Sequence, residues 1–154
     1  MDLNAEQTAA VAAVKRGENV VICGAAGTGK SACVDAIVTA LGGKITLTAM
    51  TGVAANNING VTLHSALKIG ICDMAPRVKA KINARLADGI RNVGRILVDE
   101  ASMLSDKTFS WIDEYLQALM KTDKLWGGLQ VSSCSIIVRM LHNNYIWNST
   151  WSAR

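Results

Sequence analysis

The chain has 154 residues, of which 50% are apolar and 18% are charged, and its 16 basic and 12 acidic residues give a formal net charge of +4. This composition excludes a disordered chain, which needs low hydrophobicity and high net charge. Four cysteines without a glycine repeat also exclude a disulfide-framework or collagen-like protein. The length favours one domain with a sizeable core. Because aromatic residues make up only 5%, aliphatic residues must form that core, which favours helices packed on a parallel sheet.

The apolar pattern alternates between helices and buried strands along the chain. The first helix is predicted to begin after Asn4, which forms a capping-box pattern with Gln7, and to end near Gly17. Strands that alternate with helices imply crossover connections and a parallel α/β sheet. The further predicted elements are a strand at 19–23, a helix at 31–41, a strand at 44–49, a helix starting within 51–57, a turn at 56–60, a helix from Pro76 to about Asp88 with Gly89 beyond it, a strand at 95–98 and an amphipathic helix at 106–121.

Residues 24–31 read GAAGTGKS and fit the pattern GxxxxGK[ST] of a phosphate-binding loop. Glycines let the backbone wrap closely, so that successive N–H groups point at an anion, and the helix that follows adds its positive end. Lys30 would reach the β- and γ-phosphates of a nucleotide, and the Ser31 hydroxyl would hold Mg²⁺. The alternative is a glycine-rich turn that matches by chance. However, the motif follows a predicted buried strand and opens a predicted helix, which is the context that phosphate binding requires.

Residues 96–103 read ILVDEASM, an apolar strand that ends in two adjacent carboxylates. Asp99, at the end of the strand, would lie beside the phosphate loop and hold the Mg²⁺ shell. Glu100 would orient or deprotonate the attacking water. The alternative is an exposed acidic pair at a strand end. The pair favours nucleotide hydrolysis over transfer to a small acceptor, which disfavours a small phosphoryl-transferase.

Residues 49–67 read AMTGVAANNINGVTLHSAL and follow the second predicted strand. Thr51 and Gly52 are therefore expected on the sheet edge that carries the phosphate loop, where a hydroxyl and backbone N–H groups suit contacts to a nucleic-acid backbone. His64 is a candidate polar contact in the same segment. A helix cap with a packed histidine is the alternative. A basic stretch at 77–95 permits an anionic partner or forms a solvated helix face; its cations are Arg77, Lys79, Lys81, Arg85, Arg91 and Arg95.

The cysteines form no CxxC pair and the two histidines are isolated, so no metal-ligand spacing is recognised and a reducing compartment is the simpler expectation. No run approaches 18 apolar residues, and no basic segment precedes an apolar run at the N-terminus. We therefore expect neither a membrane span nor a signal peptide.

Four segments, in this order and spacing, resemble the first motor domain of a superfamily 1 DNA helicase: LNAEQ, GAAGTGKS, TGVAANNINGVTLHSAL and ILVDEASML. The family is that of the petite-integration-frequency (Pif-type) helicases, relatives of the RecD-type helicases that move 5′ to 3′. The resemblance covers about residues 3–131. It implies an α/β P-loop NTPase (RecA-like) fold, with an incomplete parallel sheet and flanking helices. It also implies an ATP-dependent DNA helicase that couples ATP binding and hydrolysis to movement on single-stranded or forked DNA.

The resemblance also implies site residues, cofactors and a cellular role. ATP and Mg²⁺ are the implied cofactors, with the metal at Ser31 and Asp99, and the implied catalytic residues are Lys30, Asp99 and Glu100. Such helicases act in DNA repair, recombination and telomere maintenance, which implies an intracellular location: the nucleus in a eukaryote, or the cytoplasm in a bacterium or virus. Gln7 would read the adenine edge, the nucleotide loop would be Gly24, Ala25, Ala26, Gly27, Thr28, Gly29, Lys30 and Ser31, and the segment that tracks single-stranded DNA would include Thr51, Gly52 and His64.

The last 23 residues depart from the family pattern. GGLQV at 127–131 still resembles the family, in which the next strand ends in a Gly-Asp-x-x-Gln motif with prolines after it. Here the segment 132–154 contains no Asp, Glu, Gly, Gln or Pro. We therefore predict the first motor domain at 1–131 and an atypical tail at 132–154, for which out-of-frame translation is one hypothesis and a divergent strand and helix the other.

Without a second motor domain, the chain is expected to bind nucleotide but not to unwind DNA by itself. A function of another class is an inactive nucleotide-binding or interaction module.

Overall fold

The computed structural model describes residues 3–25, 27–69 and 84–135. No helix among these residues combines the length and the apolar character needed to cross a membrane. The elements are α1 (Ala5–Lys15), β1 (Val20–Cys23), α2 (Lys30–Ala40), β2 (Thr46–Ala49), α3 (Gly52–Asn57), β3 (Val61–Thr62), α4 (Leu63–Ala66), α5 (Ala84–Arg91), β4 (Arg95–Asp99), α6 (Asp106–Met120) and β5 (Gln130–Ser135), with short 3₁₀ helices at Ala101–Met103 and Leu125–Gly128.

The described strands form one five-stranded sheet in the order β1-β5-β4-β2-β3, and every pair is parallel. The predicted parallel α/β sheet with flanking helices is therefore confirmed. β5, the last of these strands in the chain, lies between β1 and β4, where Ser132 pairs with Val20 on one side and Leu97 on the other. In open α/β sheets, ligands bind outside the carboxyl ends of the strands. Here that edge carries the phosphate loop after β1 and the acidic pair at the end of β4.

The main core lies between the sheet and α6. The apolar face predicted for this helix is confirmed, because Ile112 and Leu116 are fully buried against the sheet and Trp126. Trp126 adopts a left-handed backbone with φ +50°, and its backbone N–H donates to the buried Asp113 carboxylate at 2.6 Å. A Cβ on the next residue, Gly127, would lie 2.8 Å from the Leu116 carbonyl oxygen. This turn therefore sits directly on α6 and leads the chain into β5.

The capping box at the start of α1 is confirmed. Asn4 Oδ1 accepts from the Gln7 N–H at 2.8 Å, and Gln7 Oε1 accepts from the Asn4 N–H at 2.9 Å. The other predicted helix and strand bounds differ from the observed ones by one or two residues, apart from the helix predicted to begin at Pro76.

That helix ends later than predicted. Residues 70–83, including Pro76, lie outside the described residues, but the predicted end at Asp88 is wrong because α5 continues through Gly89 to Arg91. Glycine in a helix costs about 1 kcal/mol relative to alanine. Burial of Ile90, which is 0% exposed, contributes more than that cost.

The predicted basic stretch is only partly described. Arg91 pairs with Asp88 at 2.7 Å on the surface of α5, and Arg95 Nε donates to Gln130 Oε1 at 2.7 Å between β4 and β5. The two arginines therefore make contacts within the fold. The other four basic positions of this stretch lie outside the described side chains.

β5 crosses the domain boundary that we predicted after residue 131. Ser132, Ser133 and Cys134 pair within the sheet, so the first residues of the predicted tail belong to its centre. Residues 136–154 lie outside the described residues, and the boundary stays a prediction. A central parallel strand is usually rich in Val, Ile and Leu, and Ser132 is an exception: it is 1% exposed, and its hydroxyl has no hydrogen-bond partner among the described residues.

We expect Ser132→Ala to stabilise the fold by about 1 kcal/mol, because a buried polar group without a partner keeps its full desolvation cost. In a chain of this size the midpoint of thermal unfolding should rise by about 3 °C. The matched control is Ser133→Ala on the same strand, where the half-buried side chain should change the midpoint little. A lower midpoint for the Ser132 variant than for the control would show that this hydroxyl is bonded.

Candidate nucleotide-binding site

The phosphate-loop sequence folds as a tight turn between β1 and α2. Gly27 and Gly29 have φ values of +80° and +82°, in the left-handed region that favours glycine. A Cβ on Gly29 would also lie 2.7 Å from Gln7 Nε2, so that a larger residue there would displace the end of the Gln7 side chain. Thr28 Oγ1 donates to the Ala25 carbonyl oxygen at 2.9 Å and closes the turn. Ala26 lies outside the described residues.

Lys30 is the first residue of α2 and reaches back across the loop. Its Nζ donates to the carbonyl oxygens of Gly24 at 2.9 Å and of Ala25 at 2.8 Å. The ammonium group therefore lies over the loop, beside the N-terminal end of an 11-residue helix. Both contribute positive potential at one place, which is the arrangement that binds phosphate.

Lys30, Ser31, Asp99 and Glu100 line one open cavity of about 420 Å³. Asp99 was predicted beside the phosphate loop. β5 lies between β1 and β4, so the strand that carries Asp99 is not the direct neighbour of the strand that precedes the loop. Asp99 and the loop meet instead across the end of β5, where Cys134 forms part of the cavity wall. The candidate catalytic and metal-binding residues are thus brought together.

Cys134 adds no charge to this cavity. Burial, followed by the nearby Asp99 carboxylate, raises the pKa of the thiol to about 12. The thiol is therefore neutral at physiological pH and serves as a small apolar wall.

Glu100 has a strained backbone. Its φ of +50° and ψ of +41° are left-handed, a conformation that costs a non-glycine residue about 1 kcal/mol or more. The residue turns the chain from β4 into the 3₁₀ helix at Ala101–Met103, at the edge of the cavity. The motif ILVDEASM predicted a strand that ends in an acidic pair, but it gave no indication of this left-handed turn.

Gln7 connects α1 to the phosphate loop. While its Oε1 accepts from Asn4, its Nε2 donates to the carbonyl oxygens of Gly29 at 3.3 Å and Thr28 at 3.4 Å. Gln7, Thr28, Gly29 and Lys30 line a second cavity, on the α1 side of the loop. Gln7 is predicted to contact the adenine edge, and this cavity is where it would do so. To donate to the base, its Nε2 would have to give up the hydrogen bonds to the Gly29 and Thr28 carbonyl oxygens.

The candidate DNA contacts lie apart from the shared cavity. Thr51 caps α3, and its Oγ1 accepts from the Ala54 N–H at 3.2 Å; Gly52 is exposed at the start of that helix. His64 is half-buried in α4. None of the three lines the cavity that holds Asp99 and Glu100.

Other residues of the segment 49–67 do line the cavity that holds Asp99 and Glu100, although the sequence did not predict a role for them. Asn57, Ile58 and Asn59 lie in its wall together with Lys30 and Glu100. The NNING pattern predicted a turn here, but the pattern carries no signal for what the turn faces.

The oxygen atoms of Ser31, Asp99 and Glu100 fit Mg²⁺, which prefers hard oxygen ligands. Among the described residues, no group of three His, Cys, Asp or Glu side chains could hold a metal ion. Mg²⁺ is usually bound through one or two carboxylates together with substrate phosphates rather than by a cage of protein groups. The donor set is therefore suited to a metal that arrives with a nucleotide.

Known protein families and solved structures resemble this chain over most of its length. A family model described as PIF1-like helicase matches residues 2–141. The ATP-dependent DNA helicase Pif1 of Psychrobacter sp. is 33% identical over 132 residues, which cover 82% of this chain but only 20% of that relative. The chain thus spans about a fifth of the length of the curated relatives that it matches.

Solved structures show the same likeness. The crystal structure of the Pif1 helicase from Candida albicans has a TM-score of 0.76 and 30% identity over 88% of this chain and 33% of that one. A Bacteroides Pif1 helicase in complex with ADP-AlF3 and single-stranded DNA has a TM-score of 0.75 and 29% identity over 88% of this chain and 32% of that one. The predicted P-loop NTPase (RecA-like) fold is confirmed. The chain belongs to the PIF1-like helicase family.

Proposed function

We propose that this chain forms the nucleotide site of an ATP-dependent DNA helicase that uses Mg²⁺ and acts on single-stranded or forked DNA. The observation that carries the proposal is the single cavity lined by Lys30, Ser31, Asp99 and Glu100. A phosphate-binding group, a hydroxyl and two carboxylates within one cavity are the parts that nucleotide hydrolysis requires. The family membership supports the same conclusion.

Bound Mg·ATP would supply the phosphoryl group that is lost to water. The backbone N–H groups of the loop and Lys30 would bind the phosphates, and Ser31 and Asp99 would hold the metal. Glu100 would orient a water molecule and accept its proton at a carboxylate oxygen. Gln7 would contact the base from the cavity on the α1 side of the loop.

Thr51, Gly52 and His64 are proposed to contact single-stranded DNA. The Thr51 oxygen accepts the capping bond from Ala54, which leaves the hydroxyl proton available to a phosphate oxygen. Gly52 is exposed beside it and leaves room for a sugar-phosphate backbone. The DNA seen with the Bacteroides relative supports this partner, and a role on DNA supports an intracellular site of action.

Strand separation is proposed to need a second domain beside this nucleotide site. In such motors the nucleotide lies between two domains that close and open in each cycle. We therefore propose that the chain binds Mg·ATP and hydrolyses it slowly, without separating DNA strands.

We also propose that residues 132–154 are out of frame, because this segment contains no Asp, Glu, Gly, Gln or Pro where the family pattern has a Gly-Asp-x-x-Gln motif. Reading the DNA in the other two frames after codon 131 tests it. A Gly-Asp-x-x-Gln segment in one of them is expected, and its absence from both would reject the hypothesis.

The proposed function is tested by titrating the purified chain with a fluorescent ATP analogue, with and without Mg²⁺. Hydrolysis of ATP is then followed with and without oligo-dT. We expect Mg²⁺-dependent binding and hydrolysis that the oligonucleotide stimulates. Binding without turnover would instead favour the inactive nucleotide-binding module, and no binding would reject both functions.

A further inference from the structure

The last residues of α3 and the turn that leads into β3 lie in the wall of the proposed catalytic cavity. We call residues 56–60 the asparagine turn. Asn57 and Asn59 line the cavity with Ser31 and Glu100, whereas Asn56, on the same turn, does not. The side chains of Asn57 and Asn59 are exposed and form no hydrogen bond within the described part of the chain. Each amide can therefore donate to a phosphate oxygen or accept from metal-bound water.

The backbone of the asparagine turn is held firmly against the sheet. A Cβ on Gly60 would collide with the carbonyl group of Leu47 on β2, so only glycine allows this close approach. The Gly60 N–H donates to the Ala55 carbonyl oxygen at 2.8 Å, and Asn59 takes a left-handed φ of +51°. Because β2 pairs with β4 up to Ala49 opposite Asp99, the turn has a fixed place relative to the acidic pair.

α3 joins this turn to the proposed DNA contacts. The helix has six residues, from Gly52 to Asn57, and spans about 9 Å. Thr51 caps one end, and Asn57 lines the cavity at the other. The hydrogen-bonded backbone of this short helix is therefore the direct connection between the cavity wall and Thr51.

We propose that Asn57 and Asn59 contact the γ-phosphate side of the nucleotide, and that α3 transmits this contact to Thr51 and Gly52. The inference rests on the proposed function. ADP offers no γ-phosphate, so ATP and ADP differ in their contacts with the asparagine turn. Such a difference between two ligand states is what coupling to a second site requires.

Binding measurements on the full chain test this coupling. The affinities for a fluorescent, non-hydrolysable imido analogue of ATP and for fluorescent ADP, both with Mg²⁺, are measured with and without saturating oligo-dT. In the wild-type chain the oligonucleotide should raise the affinity for the analogue about fivefold or more and leave that for ADP unchanged. Asn57→Ala should weaken binding of the analogue about tenfold and remove the effect of the oligonucleotide.

Two further variants make the test specific. Asn59→Gly removes the second amide while it suits the left-handed backbone, and it should act in the same direction as Asn57→Ala. The matched control is Asn56→Ala, an exposed asparagine of the same turn that does not face the cavity, and it should behave as wild type. The affinity for ADP and the thermal midpoint should not change in any of the three.

The possible failures are distinguishable. A wild-type chain that binds neither nucleotide would overturn the proposed function and this inference with it. Normal binding of the analogue by wild type, with equal coupling in the Asn57 and Asn56 variants, would overturn the inference alone. Loss of affinity for ADP as well as for the analogue would assign Asn57 a structural role and would also overturn the inference.

Discussion

Replacing Lys30 with alanine is expected to weaken Mg·ATP binding about 100-fold, since hydrogen bonds to charged groups are the strongest in proteins. Lys30 is the only side chain of the loop 24–31 with a positive charge. Its Nζ already lies over the loop, bonded to the carbonyl oxygens of Gly24 and Ala25. A bound phosphate would offer this ammonium stronger, charged acceptors. Titration with a fluorescent ATP analogue measures the loss.

The matched control for this variant is Lys44→Ala, which removes the same charge from an exposed position beyond the other end of α2. It should bind Mg·ATP as the wild type does. The thermal midpoints of both variants must be compared, because Lys30→Ala also removes two hydrogen bonds that hold the loop. Undiminished binding by a folded Lys30 variant would reject the phosphate-loop assignment.

The phosphate loop was predictable because its sequence specifies a local structure. Glycine suits the left-handed φ values at Gly27 and Gly29, and the capping box needs only Asn4 and Gln7 at the right spacing. Such signals act within a few residues of chain, so they are readable without knowledge of the fold. The same holds for α6, whose apolar face follows from its helical period.

The position of β5 was not predictable in this way. No feature of its own six residues indicates that it lies between β1 and β4, because crossover connections set the strand order. Its serines even argue against a central place in the sheet. Hydrogen bonding to both neighbours keeps it there, while the hydroxyl of Ser132 finds no partner among the described residues.

The candidate site shows the same limit. Asp99 and Glu100 were recognised by residue type, but the strained turn at Glu100 follows from the meeting of β4 with the 3₁₀ helix at Ala101–Met103. Asn57 and Asn59 reach the cavity because Gly60 packs on Leu47, which is a contact between the turn before β3 and the separate strand β2. Tertiary contacts of this kind leave no signal in the spacing of a motif.

Glu100→Gln separates binding from chemistry at this site. The variant keeps the size of the side chain and a hydrogen-bonding oxygen but removes the group that would accept a proton from water. A positioned general base contributes about 10²- to 10⁴-fold to a rate. We therefore expect hydrolysis to fall by about that factor, while the affinity for Mg·ATP stays close to that of the wild type. A single-turnover experiment, with the chain in excess over ATP, measures the rate of hydrolysis independently of the rate of product release.

Glu114→Gln on the exposed face of α6 is the matched control and should hydrolyse ATP at the wild-type rate. Unchanged hydrolysis in the Glu100 variant would show that another group accepts the proton. An equal loss of Mg·ATP affinity would instead place Glu100 in the metal shell, where a lost charge weakens ground-state binding. Because Asp99 ends a regular strand whereas Glu100 sits on the strained turn that follows, we expect the metal to depend on Asp99 and the proton transfer on Glu100.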